Sequence, residues 1–348
     1  MAYTTIDDPS VYFQTATYTG NAGTLAVVND GNSDLQPDWV WCKRRDVSAN
    51  HVLYDSSRGA SKVLYSNLTD GEETVSGVTA FNTDGFTLGS DGNANASSGS
   101  QVAWQWKANG GTTSSNTDGS ITTTVQANTT AGFSIVTYTG NATNGATIGH
   151  GLGVVPQVII KKNRSDSSPE WNVYHHSIGN TKSLFLNTTD AATTESAYNN
   201  TSPTSSIQTI NGSNANNGDG DNMIAYFFTP IKGYSKFGSY TGNGSTDGTF
   251  VYTGFRPAWL MIKRSSAAEN WFIQDTTRGT FNVVNKTLFA NLSDSEYTNT
   301  NYNVDHLSNG FKLRTTDNHV NASGNTYVYM AFAEHPFVSS KGVPVTAR

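Results

Sequence analysis

Apolar residues along this chain fall in short runs broken by Gly, Asn, Asp and Ser, and within the runs the period is two. In DWVWCKR, alternation puts Trp39, Trp41 and Lys43 on one side and Val40, Cys42 and Arg44 on the other; in AWLMIKR, Trp259, Met261 and Lys263 oppose Leu260, Ile262 and Arg264. Runs that are apolar on both sides and end in bases predict central strands of a sheet covered on both faces. VAWQWKA alternates more cleanly, with Val102, Trp104 and Trp106 against Ala103 and Gln105, and predicts a strand with one core face. Turn clusters such as Thr83–Phe86, Ser90–Ser100 and Ser308–Phe311 separate the strands, their Asp-Gly and Asn-Gly pairs marking tight turns. No segment sustains apolar i, i+3, i+4 spacing over a helical length, so the fold class is all-β.

The pattern recurs. The tetrapeptide NLTD at Asn67–Asp70 returns as NTTD at Asn187–Asp190 and as NLSD at Asn291–Asp294. Its neighbours return with it: YTGN begins at Tyr18, Tyr138 and Tyr240, and Pro37, Pro156 and Pro257 each stand six residues before Lys43, Lys162 and Lys263. Gly59, Gly179 and Gly279 follow, then Lys62, Lys182 and Lys286, and each unit closes on an aromatic strand containing Trp106, Phe228 or Phe332. Ordered anchors at near-constant spacing indicate an internal repeat of about 100 residues. The expected architecture is three tandem antiparallel β-sandwiches, jelly-roll-like or lectin-like, in a row. They divide the chain into a leader (1–12), a first module (13–108), a Gly/Ser/Thr-rich connection (109–132) in which SITTTVQ is a candidate strand, a second module (133–230), a third coupled rigidly to it (231–337) and a tail (338–348).

Composition narrows the partners. Charged residues make up 14% of the 348 and net charge is −6, with no basic block longer than Lys43–Arg45, so a phosphate-tracking surface and a nucleic-acid partner are not expected. The N-terminal MAYTTIDDPSVYF has neither a basic nor an apolar signal region, and no apolar run is long enough to cross a membrane, so membrane insertion is not expected. Cys42, the single cysteine, sits within an apolar run and reads as a buried hydrophobe.

With these residues in view, the chain resembles a known group. The leader MAYTTIDDPSVYFQT, the anchors YTGN, P-x-W-x-x-x-K, RG and FxxDGFxLG, the phrase GFSIVTYTGN at Gly132–Asn141 and the closing MAFAEHPF at Met330–Phe337 are similar to repeated β-rich virion structural proteins of tailed bacteriophages of marine bacteria and cyanobacteria. The resemblance implies a virion component of tail-fibre type with no catalytic residues. It is made in a host cytoplasm, carried on the particle exterior, bound to other virion proteins and directed at a host surface glycan or outer-membrane receptor. A capsid decoration or head-fibre protein is the alternative, and a glycan depolymerase ranks below both. Assembly as a homo-oligomer, a trimer or higher, is expected, since symmetric display multiplies weak contacts.

Several residues are candidates for recognition. Trp171 and Trp271 occupy matching places after the basic strand, and Asp55 with Arg58 and Asp275 with Arg278 are either local salt bridges or polar recognition groups. The middle unit departs at these places, with His175 for the aspartate, Ile178 for the arginine and Val158 where the others have Trp39 and Trp259. His175 and His176, as neighbours on a strand, are expected to face opposite ways and so not to chelate together. No cofactor is expected; the Asn-rich loops Asn214–Asn222 and Thr315–Asn325 are the places where oxygen ligands for calcium are available. Tyr3, Asp7, Asp8 and Tyr12 of the leader are candidates for anchoring to the particle.

Overall fold

Strands carry nearly all regular structure in the computed structural model, which describes residues 3–344; the helical pieces are single turns such as Pro9–Val11 and Gly92–Asn95. In the first third a six-stranded antiparallel sheet runs in the order Phe13–Thr19, Ser100–Trp106, Trp39–Arg44, Val52–Asp55, Lys62–Tyr65, Glu73–Thr74. The last third has the same order in Ser235–Thr241, Thr326–Pro336, Phe255–Arg264, Phe272–Asp275, Lys286–Phe289 and Tyr297–Thr298. The eight-stranded sheet of the middle third carries it in Phe133–Thr139, Asn222–Phe228, Val158–Asn163, Asn172–His175, Lys182–Phe185 and Thr193–Thr194. Register agrees as well: Trp39 lies between Trp106 and Asp55, Val158 between Phe228 and His175, and Trp259 between Phe332 and Asp275.

The two extra strands of the middle sheet come from the stretch expected to be a connection. Thr123–Asn128 pairs with Phe133–Thr139, and Ser114–Asn116 pairs with Thr123–Asn128 in turn. Asp38 holds the start of this segment, its buried carboxylate accepting from the backbone N–H groups of Ala108 (2.7 Å), Gly110 (2.9 Å) and Gly111 (2.7 Å).

Each main sheet is buried on both faces, as the doubly apolar runs require. On one face Val40, Cys42 and Ala103 pack with Val27, Val78, Phe86 and Leu88, which belong to a small sheet of Leu25–Val27, Phe86–Leu88 and Val78–Phe81. Comparable clusters lie within the middle and last thirds, against Ala146–Gly149 with Ile207–Ile210 and against Phe250–Tyr252, Gly310–Leu313 and Val304–Leu307. Gln101 and Gln105 correct one expectation: they are fully buried, so the closing strand has a second covered face, where Gln105 Nε2 donates to Asn29 Oδ1 at 2.5 Å.

The other face of all three sheets enters one shared cluster. Trp39, Trp41, Trp104 and Trp106 meet Val158, Ile160, Tyr226 and Phe228 from the middle third and Trp259, Met261 and Phe332 from the last. Ring centroids lie 4.6 Å apart for Trp39 and Tyr226, 5.4 Å for Trp106 and Trp259 and 5.9 Å for Phe228 and Phe332. The thirds are therefore not units in a row, and coupling is not confined to the middle and last. Burial of large side chains at ~1.5–3 kcal/mol each makes this cluster a principal source of cohesion.

The recurring YTGN turn has a structural reason. Tyr18, Tyr138 and Tyr240 donate to the carbonyls of Ala94 (2.8 Å), Asn216 (2.6 Å) and Val320 (2.7 Å). The turn asparagines Asn21, Asn141 and Asn243 exchange backbone and side-chain bonds with the buried Asn95, Asn217 and Asn321. The glycine between them admits no side chain: a Cβ on Gly20, Gly140 or Gly242 would stand 2.2, 2.0 or 2.4 Å from a backbone oxygen. Asn217 and Asn321, from the loops considered for calcium, are spent on this bracket.

Candidate functional site: the seams between the thirds

The lysines that end the apolar strands are wholly buried, and each reaches across a seam to a neighbour's recurring tetrapeptide. Lys162 Nζ donates to Thr69 O at 2.6 Å, Lys263 Nζ to Thr189 O at 3.1 Å and Lys43 Nζ to Ser293 O at 3.2 Å. The first residue of the same tetrapeptide works within its own third: Asn67, Asn187 and Asn291 Oδ1 each accept at 2.9 Å, from the backbone N–H of His51, Trp171 and Trp271. Burial lowers all three lysines to about 8, against which the tetrapeptide aspartates Asp294, Asp70 and Asp190 supply a favourable charge. The tetrapeptide recurs because it is one half of a latch.

Acid and arginine close two of the three seams. At the first–middle seam Arg58 is paired with Asp55, Arg58 Nη1 lies 3.3 Å from Glu72, and Arg164 of the middle third holds Glu72 in a fork of 2.8 and 3.0 Å. Tyr226 OH donates to Asp55 at 2.7 Å. At the last–first seam Arg278 is paired with Asp275 and lies 2.9 Å from Glu296, and Arg45 grips Glu296 with two bonds of 2.9 Å. Here Trp104 Nε1 donates to Asp275 at 2.9 Å. Burial would raise the carboxyls of Glu72 and Glu296, but the hydrogen bonds and charges of their arginines outweigh it and hold both below the ordinary range.

The middle–last seam uses other means. Glu72 and Glu296 correspond to Ala192, and the fork arginines to Ser265; only the backbone bond from Ala192 N to Ser265 O (2.9 Å) remains. His175 Nε2 meets Tyr329 O and His176 Nε2 meets Phe237 O, each at 3.2 Å. The strand ends at His175 and His176 begins a 3₁₀ turn, so the two rings stack 5.1 Å apart instead of facing opposite ways. Where the guanidinium and carboxylate are missing, a cavity of about 330 Å³ opens, lined by Ile178, Ala192, Lys182, Ser239 and Ser265 among others. Burial holds His175 at about 3, so it stays neutral.

None of the residues considered for ligand recognition faces solvent. Trp171 and Trp271 are 0% and 3% exposed and donate across seams to Tyr65 O and Phe185 O, both at 2.8 Å. Asp55, Arg58, Asp275 and Arg278 are buried in the ion clusters. The leader is a strap over the last third: Tyr3 OH bonds Gly254 O (2.9 Å) and Tyr252 OH (3.0 Å), Ile6 enters the shared core, and Tyr12 packs on Tyr234. Asp7 accepts from Ser340 N of the tail at 2.6 Å, and Asp8 from Ser10 N at 3.0 Å and Ser33 Oγ at 2.8 Å. The four candidate anchors are thus engaged within the chain; residues 1–2 and 345–348 of the leader and tail lie outside the described residues.

Sequence reasoning missed Glu72, Glu296, Arg45 and Arg164. The signal was available, because the middle copy loses the acid (Ala192) and the arginine (Ile178) together, as partners would. It also missed Lys161, fully buried over the ring of Tyr198 at 4.8 Å, its Nζ without a hydrogen-bond partner and lowered by burial to about 7. Cys42, read as a buried hydrophobe, and Ile262 hold the matching positions. Among the described residues no group of three or more His, Cys, Asp or Glu is arranged to hold a metal ion, and no helix is long and apolar enough to cross a membrane.

Fold and seams together define an all-β protein whose recurring polar residues meet one another across internal boundaries. The chain belongs to the DUF7483 family, described as a domain of unknown function, whose profile matches residues 8–336. No curated protein and no solved structure matches it.

Proposed function

We propose that the chain is a single-chain trimer of one β-sandwich module, jelly-roll-like or lectin-like in build, and that it serves as a virion structural protein of a tailed bacteriophage, tail-associated and presenting its outer loops to a host surface. One observation carries this reading: like contacts, lysine to tetrapeptide, recur at all three seams and close the thirds around a common core. A body with three similar faces about one axis suits the threefold and sixfold parts of a particle. In this reading the three copies that a homotrimer would bring are supplied by one polypeptide, and its partners are other virion proteins and a surface glycan or outer-membrane receptor. The role is non-catalytic. Asp55 and Asp275, the recurring acids, are each committed to an arginine and to an aromatic donor, which supports structural use over hydrolysis.

Cryo-electron microscopy of the intact particle tests the placement. Density for the threefold body projecting from the tail is the expected result. Density spread over the capsid lattice would overturn the tail placement in favour of decoration, and absence from purified particles would overturn the virion role altogether.

A further inference from the structure

A cavity of about 420 Å³ lies beside the edge strand Phe13–Thr19, between the first and last thirds, where Phe13, Gln14 and Thr15 face Thr276, Thr277 and Thr280. Among the described residues that strand pairs only with Ser100–Trp106. The middle third shows what fills the matching place. There Thr123–Asn128 adds to the edge strand Phe133–Thr139 and sets Gln126 opposite Ile135. The Gln126 amide crosses the seam to donate to Ser56 Oγ and Ser57 Oγ, both at 2.9 Å, while its oxygen accepts from Gly111 N at 2.9 Å.

Counting from Tyr18 and Tyr138, Ile135 corresponds to Thr15; counting from Asp55 and Asp275, Ser56 and Ser57 correspond to Thr276 and Thr277. The cavity is therefore the counterpart of the Gln126 seat without a glutamine, its Thr276 Oγ1 turned to Glu334 at 3.3 Å and its Thr277 exposed. Alternate residues of an edge strand turn their N–H and C=O groups outward, and Thr15 shares the parity of Ile135, which uses that side for pairing. Thr15 Oγ1 is buried and has no hydrogen-bond partner among the described residues, so a polar side chain is missing beside it. In the last third, whose strand Ser235–Thr241 is also an edge, the equivalent carbonyl, Phe237 O, is capped by His176, so among the described residues this position stays open in the first third.

We propose that Phe13–Thr19 is a docking edge for an extended segment of a partner protein, which adds as an antiparallel strand and places a glutamine or asparagine side chain between Thr15 and Thr276 with Thr277. Asp8 and Asp30 stand on the rim, where Glu334 is already paired with Arg256, so the segment is uncharged or basic. The proposal is independent of where the protein resides.

The probe is a fluorescein-labelled peptide with the sequence of residues 121–130, ITTTVQANTT, titrated onto the full-length protein by anisotropy, with hydrogen exchange read by mass spectrometry. Saturable binding with slowed exchange in 13–19 is expected. Replacing the peptide glutamine by alanine weakens binding about tenfold, and so does Thr277→Val, whose exposed position outside the core leaves the fold intact. Absence of binding at millimolar peptide, equal binding of a scrambled peptide, or protection at Ser235–Thr241 in place of 13–19 would overturn it.

Discussion

Glu296→Gln asks whether the seams hold the molecule closed. The carboxylate accepts two bonds from Arg45 and one from Arg278, all at 2.9 Å. Side-chain exposure is 10% for Glu296, 18% for Arg45 and 0% for Arg278, so the cluster is mostly withdrawn from water. A hydrogen bond to a charged group contributes ~1.5–3 kcal/mol net, and breaking a fully buried pair costs ~3–5 kcal/mol. Arg278 keeps Asp275 and Arg45 can turn to solvent, so the expected loss is about 2–3 kcal/mol at neutral pH. Asp46→Asn is the control: it breaks the Arg44–Asp46 pair, whose side chains are 23% and 35% exposed, and costs below about 0.5 kcal/mol. Urea unfolding followed by tryptophan fluorescence and by far-UV circular dichroism measures both. Because the tryptophans of the first and last thirds lie in one cluster, both probes trace a single transition, and Glu296→Gln moves its midpoint without changing its slope. A loss no larger than that of Asp46→Asn, or a separate early transition, would refute the reasoning and return the thirds to independent folding.

Four further outcomes follow from the same contacts. Trp171→Phe leaves Tyr65 O without its donor and lowers the unfolding free energy read from urea titration by about 1–3 kcal/mol; unchanged stability with loss of sugar binding on a glycan array would contradict burial in the seam. Asn67→Ala and Asn291→Ala each cost about 1–2 kcal/mol by stranding the N–H groups of His51 and Trp271, seen as faster exchange at those amides with any binding specificity retained. Stability falls as pH drops below ~6.5, because His175, held at about 3, and His306, at about 4, refuse protons that the unfolded chain accepts. It rises from about 8 towards ~10, where Lys43, Lys162 and Lys263 are neutral only when folded; a melting temperature that peaks at or below neutral pH would count against this. Lys161→Met stabilises by about 2–4 kcal/mol at neutral pH and the gain fades towards pH ~10, as calorimetry across that range would reveal.

The strands were legible because their period is local: Trp39 and Val40 do enter different clusters, as alternation required. The repeat anchors were legible because they recur at fixed spacing; YTGN and the tetrapeptide asparagines are fixed by neighbours within one third, although the rest of the tetrapeptide is latched across a seam. The seams were not. Trp171 meets Tyr65, and Arg45 meets Glu296, across 106 and 251 residues with no short-range pattern to announce them. An aromatic beside asparagines looks alike whether it stacks on a sugar or seals a boundary, and only the neighbouring third decides. Buried bases at the ends of apolar strands were the overlooked clue, since a lysine that cannot reach water needs oxygens from elsewhere.

The shared core also governs how the molecule comes into being. A ribosome delivers Trp39 and Trp106 long before Trp259 and Phe332, the rings that complete their surroundings. Until the final strand emerges, the aromatic faces of the two earlier sheets have only water, a chaperone or another nascent chain to cover them. A stop codon late in the coding sequence therefore costs the whole molecule, leaving two finished-looking thirds with an adhesive wound between them.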